Sequence, residues 1–309
     1  MPRVKRKRKL KSRKKTLPRS NLFLILALVF LLALLGITLF GFQSKTNGIK
    51  VIKQTFFTPK LVTIAVISPY PTNYPNNNNV PPQKNLGFCL YVPVLTYHHI
   101  QPENEAIYKK QTSLSVDNGM FDQQMAYLIQ KGYTPIFANE LAQALISHTQ
   151  LPGKPIMVTM DDGYADNDIY ALPVLKKYNI KANLMLATGL VGSNADMLNW
   201  SQVNDMKSSG LFYFTNHTWS HFSLNSGTIE KKQQEITLAQ NQIKDNLGQD
   251  VNIITYPYGS FNDAAINVLR QLGYVAGFST IPGSYQCDSF IMTLHRLHIG
   301  NAPLSSYGI

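Results

Sequence analysis

From about residue 91 onward, short apolar runs rich in β-branched and aromatic residues alternate with segments of helical spacing. No other feature of the chain narrows its fold as far. The apolar runs fall at 92–95, 156–160, 183–187, 211–215, 253–256 and 274–279. Between them, 121–130, 168–178, 201–208 and 263–272 have helical spacing. Ile236, Ala239, Ile243 and Leu247 recur at steps of 3, 4 and 4, an apolar stripe along one helix face. Strand-helix alternation predicts an α/β fold of parallel strands with helices packed outside, either a barrel or a doubly wound sheet. In both, functional groups gather at the C-terminal ends of the strands. No internal repeat of fixed period is present.

The first ninety residues read differently. Residues 22–42 (LFLILALVFLLALLGITLFGF) carry no charge over 21 positions, and Thr38 is their one polar side chain. A bilayer crossing takes roughly 20 apolar residues. A secretory signal has a shorter apolar region, ~7–15 residues, and a small-residue cleavage site. Gly41-Phe42-Gln43-Ser44 is a poor cleavage site, so the run reads as an uncleaved signal-anchor helix. Eleven basic residues and no acid precede it within residues 1–20. The positive-inside rule then predicts a cytoplasmic tail (1–21), a single-pass anchor in the cell membrane (22–42) and an extracellular remainder. The overall charge of +12 belongs to this tail, because the other 289 residues carry 18 bases against 17 acids. A nucleic-acid partner is therefore not expected, and no obligate protein partner is evident. Residues 43–90, with Asn76–Asn79, Pro81-Pro82 and Pro69-Tyr70-Pro71, read as a linker or stalk, although 60–67 could form a small strand. The remaining unit is 91–309. With 44% hydrophobic and 15% charged residues, the chain is able to build a core. Two cysteines cannot make a disulfide framework, and whether Cys89 and Cys287 pair is open at this stage.

Three strand ends carry the polar groups. Ile156–Met160 runs into Asp161-Asp162-Gly163, two adjacent carboxylates that repel each other unless a cation or shared proton intervenes. Asp-Gly is also an ordinary turn. Leu211–Thr215 runs into Asn216-His217-Thr218-Trp219-Ser220-His221, an imidazole pair at i, i+4. Neutral imidazole is a common zinc ligand, and this spacing can aim both rings at one point. Ile253–Thr255 runs into Tyr256-Pro257-Tyr258-Gly259, which by itself reads as an aromatic and proline turn. One carboxylate and two imidazoles leave a coordination position open, as catalytic rather than structural zinc sites do. The other carboxylate suits a general base acting on water.

Taken together and in this order, the motifs resemble the polysaccharide deacetylases of carbohydrate esterase family 4, the NodB-homology domain. Met160-Asp161-Asp162-Gly163 resembles TFDDG, His217–His221 fits H-[ST]-x-x-H, and Thr255-Tyr256-Pro257-Tyr258 resembles R-x-P-Y. The resemblance covers residues 91–300, and it implies an irregular (β/α) barrel of about seven strands. Val94–Ile100 (VLTYHHI) and Leu198–Ser201 (LNWS) look like the branch that deacetylates poly-N-acetylglucosamine. The resemblance implies Asp162, His217 and His221 as metal ligands for Zn2+, or for Co2+ or Mn2+. It implies Asp161 as general base, the Tyr258 backbone N–H as an oxyanion donor, His98 as general acid, and Trp200 and Pro257 as sugar contacts. Where the family motif has an arginine that orients the base, this sequence has Thr255. Arg296, in Leu294-His295-Arg296-Leu297-His298, is the candidate replacement, and His99, His295 and His298 compete with His98. The expected activity is metal-dependent hydrolysis of N-acetyl groups on an acetylated wall or biofilm polysaccharide. A surface glycan-binding protein with impaired catalysis, favoured by Thr255, and an esterase acting on O-acetyl groups are the alternatives.

Overall fold

Residues 86–309 are described by a computed structural model. The basic tail, the expected anchor and the expected linker up to residue 85 lie outside the described residues. In chain order the strands are β1 (Cys89–Tyr91), β2 (Val94–Tyr97), β3 (His99–Ile100), β4 (Ser115–Val116), β5 (Tyr133–Pro135) and β6 (Lys154–Asp162). They continue with β7 (Ala182–Leu186), β8 (Phe212–Asn216), β9 (Ile253–Thr255), β10 (Ala276–Phe278), β11 (Tyr285–Cys287) and β12 (Leu297–His298). The helices are α1 (Glu103–Lys109), α2 (Asn118–Gln130), α3 (Ala138–Ser147), α4 (Leu172–Tyr178), α5 (Trp200–Ser208), α6 (Ile229–Leu247) and α7 (Asp263–Gln271).

The central sheet runs β10-β9-β8-β7-β6-β2-β12, seven strands along one path, with β5 paired to β6 as an eighth. Every pairing in it is parallel. A parallel bridge between Phe278 and Leu294 brings the segment entering β12 back to β10, so the sheet curls almost onto itself. The expected α/β barrel-like architecture is present, as a curled parallel half-barrel.

Period-two alternation sorts the strand residues into two layers. Leu95, Tyr97, Val158, Met160, Leu184, Leu186 and Phe214 share one core with Phe121 and Met125 of α2, Leu175 of α4, Val203 of α5 and Ile243 of α6. Ile236, Ala239, Ile243 and Leu247, the predicted stripe, are all buried. Val94, Met157, Met185, Ile253, Ala276 and Phe278 point the other way into a second core closed by α3. Asp161, four residues beyond Met157 on the same strand, therefore projects from this second face, away from the outer helices.

Two predicted boundaries move. Cys89–Tyr91 pairs antiparallel with Tyr285–Cys287, so the folded unit starts inside the segment read as linker. Asp168–Tyr178, read as one helix, is a π-type turn at Asn167–Ala171 followed by α4. The pairing also places Cys89 opposite Cys287, and the two form a disulfide. It closes a sequence separation of 198 residues. Such a closure constrains the unfolded chain, typically by about 2–4 kcal/mol. Cys89→Ala/Cys287→Ala should lower unfolding free energy by about that much without moving the catalytic groups. Urea unfolding of the variant checks it, and an unchanged midpoint would contradict it.

Candidate active site

Strands β2, β6, β7, β8 and β9 end at one rim, and the three predicted motifs meet there. A cavity of about 390 Å³ is lined by His98, Asp161, Asp162, His217, His221, Tyr258 and Arg296 among others. Alternation along β6 would send Asp161 and Asp162 to opposite faces. Asp162 has φ 73° and Gly163 φ 93°, and this left-handed turn swings the second carboxylate back over the rim. Seven non-glycine residues among those described have positive φ, and four are Asp162, Thr218, His221 and Tyr258. Such conformations cost roughly 1–2 kcal/mol each in L residues, and their clustering marks a site where geometry is imposed.

Asp162 Oδ1 lies 3.2 Å from His217 Nε2 and 3.1 Å from His221 Nε2. That oxygen is buried and makes no well-directed hydrogen bond. Ligand atoms about 2.0–2.1 Å from a tetrahedral zinc lie about 3.3 Å from one another, which is close to the spacing seen. The tautomer also fits. His217 Nδ1 donates to the Thr255 carbonyl at 2.8 Å, so its Nε2 lone pair is left for a metal. Thr255, the departure from the family motif, thus orients the His217 ring through its backbone. The residues present fit a divalent cation.

Asp161 sits beside this triad in a bidentate pair with Arg296, Nη1 to Oδ1 at 2.7 Å and Nη2 to Oδ2 at 2.8 Å. Arg296 is buried, and its Nε donates to the Ser279 carbonyl at 2.8 Å. Burial raises the Asp161 pKa, but the Arg296 guanidinium outweighs it and holds the carboxyl below its ordinary value. Arg296, the candidate partner of this carboxylate, thus reaches Asp161 from a position far along the chain.

His98 Nε2 is 4.0 Å from Asp161 Oδ2. Burial lowers the His98 pKa more than the Asp161 and Asp162 carboxylates raise it. Of its three competitors, only His298 lines the cavity, with ring centroids 6.0 Å from His98. His99 is buried behind the site in a 2.5 Å pair with Asp166. His295 stacks on Phe290, and burial pushes its pKa down to about 4. Tyr258 lines the cavity, with its ring centroid 4.5 Å from that of His221. Pro257 is buried beneath it and Trp200 packs against the main core; neither is among the lining residues. Trp200 opens α5 inside a capping box, where Asn199 and Gln202 exchange two bonds of 3.0 Å. Tyr164, Leu114, Leu190 and Thr280 line the cavity without having been singled out. Leu114 and Thr280 carry no motif signal, whereas Tyr164 follows Asp-Asp-Gly directly and could have been read from it.

A family model described as polysaccharide deacetylase matches residues 148–277. The chain is 30% identical over 208 residues to YxkH of Bacillus subtilis, assigned as a polysaccharide deacetylase, covering 67% of this chain and 71% of that one. It is 28% identical over 247 residues to a poly-beta-1,6-N-acetyl-D-glucosamine N-deacetylase of Staphylococcus aureus, covering 71% and 83%. Among solved structures, the Streptococcus pyogenes deacetylase PplD in complex with acetate superposes with a TM-score of 0.63 at 29% identity, covering 68% and 92%. IcaB from Ammonifex degensii does so at 0.60 and 26% identity, covering 67% and 91%.

Proposed function

The chain belongs to the polysaccharide deacetylase family, and from that premise we propose that it hydrolyses N-acetyl groups of an N-acetylglucosamine-containing polysaccharide outside the cell, releasing acetate. The observation that carries this reading is one cavity holding the Asp162–His217–His221 triad beside an Arg296-oriented carboxylate. When bound by the triad, a divalent cation supplies Lewis acidity and lowers the pKa of water toward neutrality. Asp161, held ionised by Arg296, takes a proton from water at Oδ2. The Tyr258 backbone N–H stabilises the developing oxyanion. His98 is the general acid for the departing amine. Its lowered pKa leaves it neutral at rest, so it must first gain a proton, and Asp161 Oδ2 is the neighbouring group that has just acquired one. The products are acetate and a free amino sugar, cationic at neutral pH. His98→Ala should slow turnover about 10²-fold. Unchanged turnover would move the role to His298.

A disulfide between Cys89 and Cys287 supports an oxidising compartment, in keeping with the anchor read at 22–42. Resemblance to the poly-N-acetylglucosamine branch favours that polymer over peptidoglycan or chitin oligomers. Thr255 was the feature favouring a glycan-binding protein without catalysis, and Arg296 on Asp161 takes that support away. The test is acetate release by the full-length protein in detergent, after chelation and with Zn2+, Co2+ or Mn2+ restored. Poly-N-acetylglucosamine, peptidoglycan, chitin oligomers and acetylated xylan form the panel. We expect metal-restored release, highest on poly-N-acetylglucosamine. Glycan binding with no acetate from any polymer would favour the non-catalytic reading, and release from xylan alone would favour the esterase.

A further inference from the structure

We infer that Glu235, on α6 and outside the cavity, is a positioning residue that sets the metal affinity of the centre by locking the loop that carries both histidine ligands. The inference rests on the metal reading of Asp162, His217 and His221 proposed above. Between the two histidines run Thr218, Trp219 and Ser220. Thr218 (φ 63°) and His221 (φ 58°) both take left-handed backbone, which a non-glycine loop keeps only when its surroundings over-determine it.

Glu235 supplies that restraint. Its Oε2 accepts from Ser220 N at 2.8 Å, and its Oε1 accepts from Ser220 Oγ at 2.9 Å. Its backbone carbonyl accepts from Trp219 N at 3.0 Å. The side chain is fully buried, with Lys231 Nζ at 2.7 Å as its counter-charge. A buried carboxylate is costly unless its lone pairs are used. Here the donors other than Lys231 come from the ligand loop, through bonds strengthened by the charge. Local bonds add to the hold: Asn216 Oδ1 accepts from Thr218 N and Thr218 Oγ1 accepts from Phe222 N. The two imidazoles are therefore aimed before a metal arrives, and binding does not have to order the loop.

The test is the Zn2+ dissociation constant of the full-length protein, measured by competition with a chromogenic chelator. Glu235→Ala should weaken binding about 10–100-fold, the range found when support of a ligand is removed. Glu235→Gln, which keeps an acceptor oxygen, should recover part of the loss. Ser220→Ala, which keeps the backbone bond, should shift affinity less than Glu235→Ala. Should Glu235→Ala fail to fold, Glu235→Gln and Ser220→Ala carry the comparison. Lowered melting temperatures with wild-type zinc affinity would overturn the inference and leave Glu235 a purely structural residue. Wild-type protein that binds zinc no better than His217→Ala would instead overturn the metal reading beneath it.

Discussion

Asp161→Asn should release acetate about 10³-fold more slowly than wild type while holding the same amount of metal. The carboxamide has nearly the same shape but cannot take the proton from water. Asp162, His217 and His221 are untouched, so metal content by elemental analysis should not change. The substitution also leaves the buried Arg296 guanidinium without its counter-charge, and breaking such a pair costs about 3–5 kcal/mol. Rates are therefore compared well below the melting temperature of the variant. Near wild-type turnover would exclude Asp161 as the base, and loss of metal would place it among the ligands instead.

Arg296→Met should destabilise the fold by about 3–5 kcal/mol at neutral pH, because Asp161 then sits buried and unpaired. The pH dependence has a definite sign. In the wild type Asp161 has a lowered pKa, so its contribution to stability is present above the unfolded value of about 3.9 and is lost as pH falls through the folded value. Without Arg296 the burial effect dominates and the folded pKa rises above the unfolded one. The ionised group then opposes folding. The stability gap between wild type and Arg296→Met should be widest at neutral pH and shrink below about pH 4. The acidic limb of kcat/KM should also move to higher pH. Urea unfolding at neutral and acidic pH, with a pH–rate profile, reads both; an equal gap at both pH values would count against the pairing. Arg296→Lys keeps the charge but loses the planar fork, and should fall between the two.

The candidate metal triad was legible because each of its residues sits within a few residues of a strand end that its own apolar run announces. Asp161-Asp162 and His217/His221 needed only local sequence to be found. Arg296 was legible only as a candidate, since its link to Asp161 depends on β12 lying beside β2, and a two-residue strand has no periodicity to read. Tyr133–Pro135 escaped for the same reason. The disulfide depends on pairing between β1 and β11, which no local pattern encodes. Trp200 was placed by resemblance alone, and its position at the start of a capped helix turns it to the core. Glu235 lay within a recognised helix, yet only the tertiary fold shows that the ligand loop lies against it.

The seam where β12 meets β2 has a consequence for a chain synthesised from its N-terminus. By the time residue 221 has emerged, all three residues of the candidate metal triad exist. Asp161 must still wait for an arginine 135 positions further on, and Cys89 for a partner 198 positions away. Long-range parallel pairing of this kind is slow to form. A nascent chain at that stage owns the residues that would hold an ion but not the arginine that pairs with Asp161. On the proposed function, hydrolytic competence is thus the last property to be assembled, once β12 has joined β2.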